Sequence, residues 1–131
     1  MEKKSFEEIF EKLKAVEFAE HFDLVVAIAR GGIIPGALVA HKLGVNFATI
    51  VINFRDDMHK PCRSNPELIQ PIEFSYSGKK ILVVDDRSKT GATLQKAKEL
   101  LAGAALVKTF AVNGKADYSL FDEPCFKMPW A

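Results

Sequence analysis

Two short apolar runs set the architecture open to this chain. Leu24–Ala29 (LVVAIA) and 81–84 (ILVV) carry no polar alternation, so each needs cover on both faces. The strands of a parallel sheet with helices on either side meet that condition. Behind the first run, Arg30-Gly31-Gly32 is a turn, Pro35 suits the first turn of a helix reaching about Leu43, Gly44 stops it, and 47–53 reads as the next strand. Behind the second, 92–101 has helical spacing with Gly103 after it, and 105–112 is a further strand. Two β-α-β units follow. They predict an α/β fold, a single-domain open, mainly parallel sheet flanked by helices.

A chain of 131 residues with 48% hydrophobic content builds one core and not two, so a single domain is expected over 1–131. Ser5-Phe6-Glu7-Glu8 has the form of a capping box, and Phe6, Ile9, Phe10, Leu13 and Val16 recur on one helical face, which places an amphipathic helix before the first strand. The stretch 55–80 behaves differently. Its charges, Pro61, Pro66, Pro71 and Ser75-Tyr76-Ser77-Gly78 interrupt any apolar period, so a long loop is expected, with at most one turn or a short hairpin. Loops of that length often cover sites. The tail, 113–131, is turn-rich.

Charge excludes some partners. Eighteen basic against seventeen acidic side chains give a net charge of +1, so no global field draws the chain to nucleic acid or to an anionic membrane. Any anion site must be local. The start, MEKKSFEEIFEKL, is too charged for a secretory signal, and no uncharged run approaches a membrane span. A cytoplasmic location is expected, and two cysteines, Cys62 and Cys125, fit reduced thiols better than a disulfide framework. His59 and Cys62 supply two ligands, too few for a closed metal site.

The chemistry concentrates in VVDDRSKTGATL, residues 83–94. Ligands of open parallel sheets bind beyond the carboxyl ends of the strands, where both Arg30-Gly31-Gly32 and Asp85-Asp86 are expected to lie. Ser88, Lys89, Thr90, Gly91, Ala92 and Thr93 then lead into a helix, bringing hydroxyls and backbone N–H groups to its positive end. That is a cradle for a phosphate monoester. Two carboxylates beside it would repel a bare phosphate, but not a ligand that also offers hydroxyls or a magnesium ion. A ribose 5-phosphate fits, its phosphate on the helix start and its hydroxyls donating to Asp85 and Asp86.

Hydrophobic-hydrophobic-Asp-Asp-x-x-x-Thr-Gly-x-Thr-Leu resembles the phosphoribosyl-diphosphate signature of the type I phosphoribosyltransferases. VVAIARGGIIPGALVAHKLG resembles the diphosphate loop and following helix of the same family, closest to bacterial xanthine-guanine-type purine enzymes. The likeness runs from about Leu24 to Val112, with a fainter echo in FKMPW. It implies that Arg30 and Gly31 receive the diphosphate, that Asp85 and Asp86 hold the ribose hydroxyls with Asp86 meeting Mg²⁺, that residues from Ser88 to Thr93 bind the 5-phosphate, and that 55–80 is a lid. The implied reaction is magnesium-dependent displacement of diphosphate from the anomeric carbon by a ring nitrogen of a nucleobase, a purine by the closest likeness. The implied partners are small molecules, with no nucleic acid and no membrane. Relatives are commonly dimers or tetramers, which leaves homo-oligomerisation open.

Two positions depart from the family pattern. Lys89 stands where the purine enzymes usually carry an aspartate that accepts a proton of the base, and a lysine cannot do so at neutral pH unless burial lowers its pKa. Val112 falls where a lysine reads the 6-oxo group, with Lys115 three residues on as a substitute. Base stacking falls to Phe126, with Trp130 second. Asp85, Asp86 and Lys89 are therefore the candidate catalytic residues, and Val112, Lys115 and Phe126 the candidate base contacts. The alternative is a non-catalytic member of the fold that binds phosphoribosyl diphosphate or a nucleotide as a sensor.

Overall fold

The computed structural model describes residues 2–53 and 67–131. Residues 54–66, with His59, Cys62 and the first half of the expected lid, lie outside the described residues. Helix α1 (Phe6–Ala15) starts on the expected capping box, with the Glu8 N–H donating to Ser5 Oγ at 3.1 Å and the Ser5 N–H to Glu8 Oε1 at 3.2 Å. Strand β1 (Leu24–Ala29), helix α2 (Ile33–Leu43) and strand β2 (Asn46–Asn53) form the first β-α-β unit. Gly44 ends α2 in the left-handed region, with φ of 68°, its N–H donating to carbonyls of the last turn. A two-residue strand, β3 (Glu67–Leu68), then pairs antiparallel with the end of β2. Strand β4 (Lys80–Ser88), helix α3 (Ala92–Leu100) and strand β5 (Leu106–Gly114) form the second unit, and a short strand β6 (Tyr118–Phe121) follows.

These strands make a six-stranded sheet in the order β3-β2-β1-β4-β5-β6, parallel except for β3. Strand periodicity divides the core. Val25, Leu82, Val84, Phe110 and Val112 face α1 and α2, packing with Ile9, Leu13, Val39 and Ala40. Val26, Ile28, Ile81, Val83 and Ala111 face α3, packing with Leu94, Ala97 and Leu101. Burying a side chain of this size contributes about 1.5–3 kcal/mol, so these two layers supply most of what holds the sheet. Among the described residues no helix is long and apolar enough to cross a membrane.

Three parts differ from the sequence reading. Strand β4 runs four residues past Val84, because Asp85, Arg87 and Ser88 stay in register with Ala111, Asn113 and Gly114 of β5. Ile72, Phe74 and Tyr76, expected in the long loop, pack half-buried against the α3-side core. The tail contributes β6, which runs parallel to β5 although only residues 115–117 join them. A dozen or more residues usually make such a connection. Here Asp117 anchors the returning chain, its carboxylate accepting the Thr109 N–H (2.9 Å) and hydroxyl (3.1 Å) while its own N–H donates to Thr109 Oγ1 (3.0 Å).

Candidate active site

Strand order reverses direction between β1 and β4, since the chain leaves β1 toward β2 and leaves β4 toward β5. In open α/β sheets that switch point opens a crevice at the carboxyl ends. The loop after β1 is tightly built there. The Gly32 N–H donates to Ile28 O at 2.8 Å, the Ile33 N–H to Arg30 O at 3.1 Å, and the Ala29–Arg30 peptide is cis. A Cβ on Gly32 would lie 2.4 Å from Val84 O, and a Cβ on Gly31 would lie 2.5–2.7 Å from the carboxyl group of Asp86. The turn after β1 and the carboxylates of β4 therefore meet face to face, and a side chain at position 31 would fit only if the Asp86 carboxyl group moved aside.

The two aspartates are not equivalent. Asp85 is 9% exposed, Asp86 is half-buried, and the Asp86 N–H donates to Asp85 Oδ1 at 2.8 Å. Burial, followed by the neighbouring Asp86 charge, pushes the Asp85 carboxyl well above the usual carboxylate range. Asp86 accepts the Arg87 N–H at 2.8 Å, and Arg87 Nη1 lies 3.8 Å from its other oxygen.

A folded-state pKa raised in this way has a definite sign. Between the ordinary carboxylate range and the raised value, the folded chain keeps a proton that the unfolded chain releases, so stability present at acid pH is lost as pH rises through the folded pKa. Asp85→Asn should therefore stabilise the chain at mildly alkaline pH by about 1–3 kcal/mol and flatten that dependence. Melting midpoints of the two proteins across pH check it, and midpoints that run parallel would sink it.

Beyond β4 the chain turns through 89–91 into α3. Gly91, with φ of 85°, precedes α3 and has no side chain to cap it; Thr90 Oγ1 accepts the Ala92 N–H at 3.2 Å instead. The remaining first-turn amides, including that of Thr93, have no partner within the helix. Lys89 and Thr90 are exposed, whereas Ser88 is 5% exposed and its hydroxyl has no hydrogen-bond partner among the described residues. Ser88 borders a cavity of about 350 Å³ shared with Arg87, Lys89, Asn113, Lys115 and the segment 122–125.

Two of the expected base contacts, Val112 and Phe126, lie away from that cavity. Val112 is fully buried between the sheet and α1/α2, and Phe126 is 1% exposed, edge-on to Phe121 at 5.4 Å. Neither side chain lines the cavity, and Phe126 instead offers its carbonyl, which accepts Arg87 Nη2 at 2.7 Å. Trp130 packs as a partly buried member of the same core. Lys115 does line the cavity, its N–H donating to Ser88 O at 2.9 Å. Asn113 was missed. It is buried, and it pairs with the Glu123 backbone on both sides, Nδ2 donating to the carbonyl at 3.1 Å and Oδ1 accepting the N–H at 3.0 Å. Residue alternation along β5 is the signal that could have found it, since 113 faces opposite to 112.

Among the described residues no three His, Cys, Asp or Glu side chains gather as a metal cluster. Asp85 and Asp86 nevertheless fit a magnesium ion, which is commonly held by one or two carboxylates together with phosphate oxygens and water.

Comparison with known proteins gives a consistent picture. The family model described as the phosphoribosyl transferase domain matches residues 2–128. A xanthine-guanine phosphoribosyltransferase of Vibrio atlanticus is 33% identical over 106 residues, covering 80% of this chain and 64% of that protein. The corresponding protein of Idiomarina loihiensis is 30% identical over 93 residues, covering 71% of this chain and 57% of that protein. The chain thus spans about three fifths of the length of the curated relatives it matches. Among solved structures, the purine phosphoribosyltransferase of Pyrococcus horikoshii superimposes with a TM-score of 0.80 at 25% identity, covering 98% of this chain and 92% of that one.

Proposed function

This chain belongs to the phosphoribosyl transferase domain family, and from that premise we propose that it moves the phosphoribosyl group of phosphoribosyl diphosphate onto a purine base and releases diphosphate. The observation that supports this reading is the close approach of Gly31 to the Asp86 carboxyl group, which brings the turn after β1 against the carboxylates at the end of β4.

In this reading Ser88, Thr90 and the first-turn amides of α3 take the 5-phosphate, Asp85 and Asp86 accept the ribose hydroxyls, and Arg30 and Gly31 receive the leaving diphosphate. Asp86, with Asp85 behind it, would hold Mg²⁺, whose charge offsets that of the diphosphate. The bond from the anomeric carbon to the diphosphate breaks as a bond to the ring nitrogen forms, and the base gives up the proton on that nitrogen. The chain contributes alignment and charge complementarity more than a nucleophile. The base would enter the cavity beside the cradle, with Lys115 toward its exocyclic oxygen. Lys89 is exposed at the edge of that cavity. Glu123 is committed to Lys4 at 3.1 Å, which leaves Asp122 as the carboxylate of the cavity wall to accept the proton. Small molecules are the partners in this account, and the cytoplasm its setting.

Diphosphate release, followed with phosphoribosyl diphosphate, Mg²⁺ and a panel of purines, tests the proposal. At least one purine should support turnover, and Asp122→Asn should slow it by about 10²-fold without weakening phosphoribosyl diphosphate. Release with no purine, despite tight binding of phosphoribosyl diphosphate, would favour the second reading, a sensor of the same fold. The exposed lysine at position 89 is the observation that keeps that reading in play.

A further inference from the structure

Lys4 is an unusual lysine. Its side chain is only 9% exposed, with the ammonium 4.8 Å from the centre of the Phe121 ring and 5.2 Å from that of Phe126. It pairs with Glu123 Oε1 at 3.1 Å, and with Glu2 and Glu8 at 3.5 and 3.8 Å. Lysine is rarely buried unless paired, and the hydrogen bond to the Glu123 carboxylate holds this ammonium above its usual pKa. The backbone fixes the same junction. The Lys4 N–H donates to Lys127 O at 3.1 Å, and the Lys127 N–H to Glu2 O at 2.7 Å.

Glu123 is also the residue that Asn113 grips through both backbone groups, and its neighbours Asp122, Pro124 and Cys125 line the cavity. One wall of the cavity is thus held from inside by Asn113 and from behind by Lys4. An apolar side chain could fill the space beside the two rings; only a cation fixes the carboxylate as well.

Resting on the phosphoribosyl reading of the adjoining site, we propose that Lys4 is a positioning residue for the acceptor base: it sets base affinity by fixing the 122–125 wall, without touching the ligand. Asp85, Asp86 and the cradle before α3 make no direct contact with Lys4 or the Glu123 carboxylate, so affinity for the sugar phosphate alone should depend little on Lys4.

The test compares guanosine 5′-monophosphate with ribose 5-phosphate, two ligands that differ by the base, in binding titrations of wild type, Lys4→Met, Lys4→Arg and Glu123→Gln. Lys4→Met should weaken the nucleotide about tenfold, leave ribose 5-phosphate within about twofold, and be rescued largely by Lys4→Arg. Glu123→Gln keeps the backbone pairing with Asn113 and should shift the same ratio, which carries the test if Lys4→Met fails to fold. An unchanged ratio in the folded variants, or an equal loss for both ligands, overturns the role of Lys4. Failure of wild type to bind either ligand would instead overturn the phosphoribosyl reading itself.

Discussion

An alanine at position 31 is expected to weaken binding of magnesium phosphoribosyl diphosphate by roughly 10- to 100-fold, about as much as Asp86→Ala, at little cost in stability. Its methyl group would fall 2.5 Å from Asp86 Oδ2, 2.6 Å from Cγ and 2.7 Å from Oδ1, closer than real contacts allow. Gly31 is not one of the positive-φ glycines, so the backbone accepts a side chain and the mobile end of Asp86 gives way. Moving that carboxylate breaks its bond from the Arg87 N–H and, under the proposed function, withdraws an oxygen from the ribose and the metal. Calorimetric titration reads the affinity and melting reads the stability. Combined with Asp86→Ala, the added methyl has room and its own effect should vanish, the non-additivity expected of residues in contact. Wild-type affinity in Gly31→Ala would mean that the carboxylate facing the loop is not used.

The second large effect is on stability. Gly114 has φ of 120°, and a Cβ there would lie 2.1 Å from Ser88 O and 2.8 Å from Ser88 C. Those atoms are backbone, fixed by the pairing of Ser88 with Gly114 and by the Lys115 N–H donating to Ser88 O at 2.9 Å, so they cannot move aside without opening the end of the β4–β5 ladder. Gly114→Ala should cost about 3–5 kcal/mol, a large share of the roughly 5–15 kcal/mol that stabilises an ordinary domain. Gly44→Ala is the control. Its φ is 68° but nothing lies within 4 Å of the added methyl, so the cost should stay near 1–2 kcal/mol. Equal melting midpoints for the two variants would contradict the crowding at Ser88.

Much of the fold could be read from the chain because its apolar runs are unambiguous. LVVAIA and ILVV must be buried on both faces, and the glycines and capping box punctuate them as the structure does. The polar end of β4 escaped notice for a physical reason. Asp85-Asp86-Arg87-Ser88 has the composition of a loop, yet a ladder is held by backbone groups, and its partners on β5 lie 26 residues along the chain. β6 depends similarly on the Thr109–Asp117 network, a tertiary contact with no local signature.

At the site, the two motif loops could be placed together from topology alone, whereas the cavity wall could not. One residue in a strand reverses the face: Val112, an expected base contact, points to the helices, and Asn113 lies at the cavity. Phe126 was a sound candidate by type, but an aromatic ring beside Phe121 is worth more in the core than at a wet rim, and the chain spends only its carbonyl, on Arg87.

The proposed grip on a sugar phosphate from two sides is tested most directly by amide chemical shifts of the labelled protein during titration with phosphoribosyl diphosphate and Mg²⁺. The amides of Gly31 and Gly32 after β1 and those of Gly91 and Thr93 before α3 should move together and saturate at one ligand concentration. Shifts confined to one of the two loops, or absent from both at saturating ligand, would contradict a single shared site.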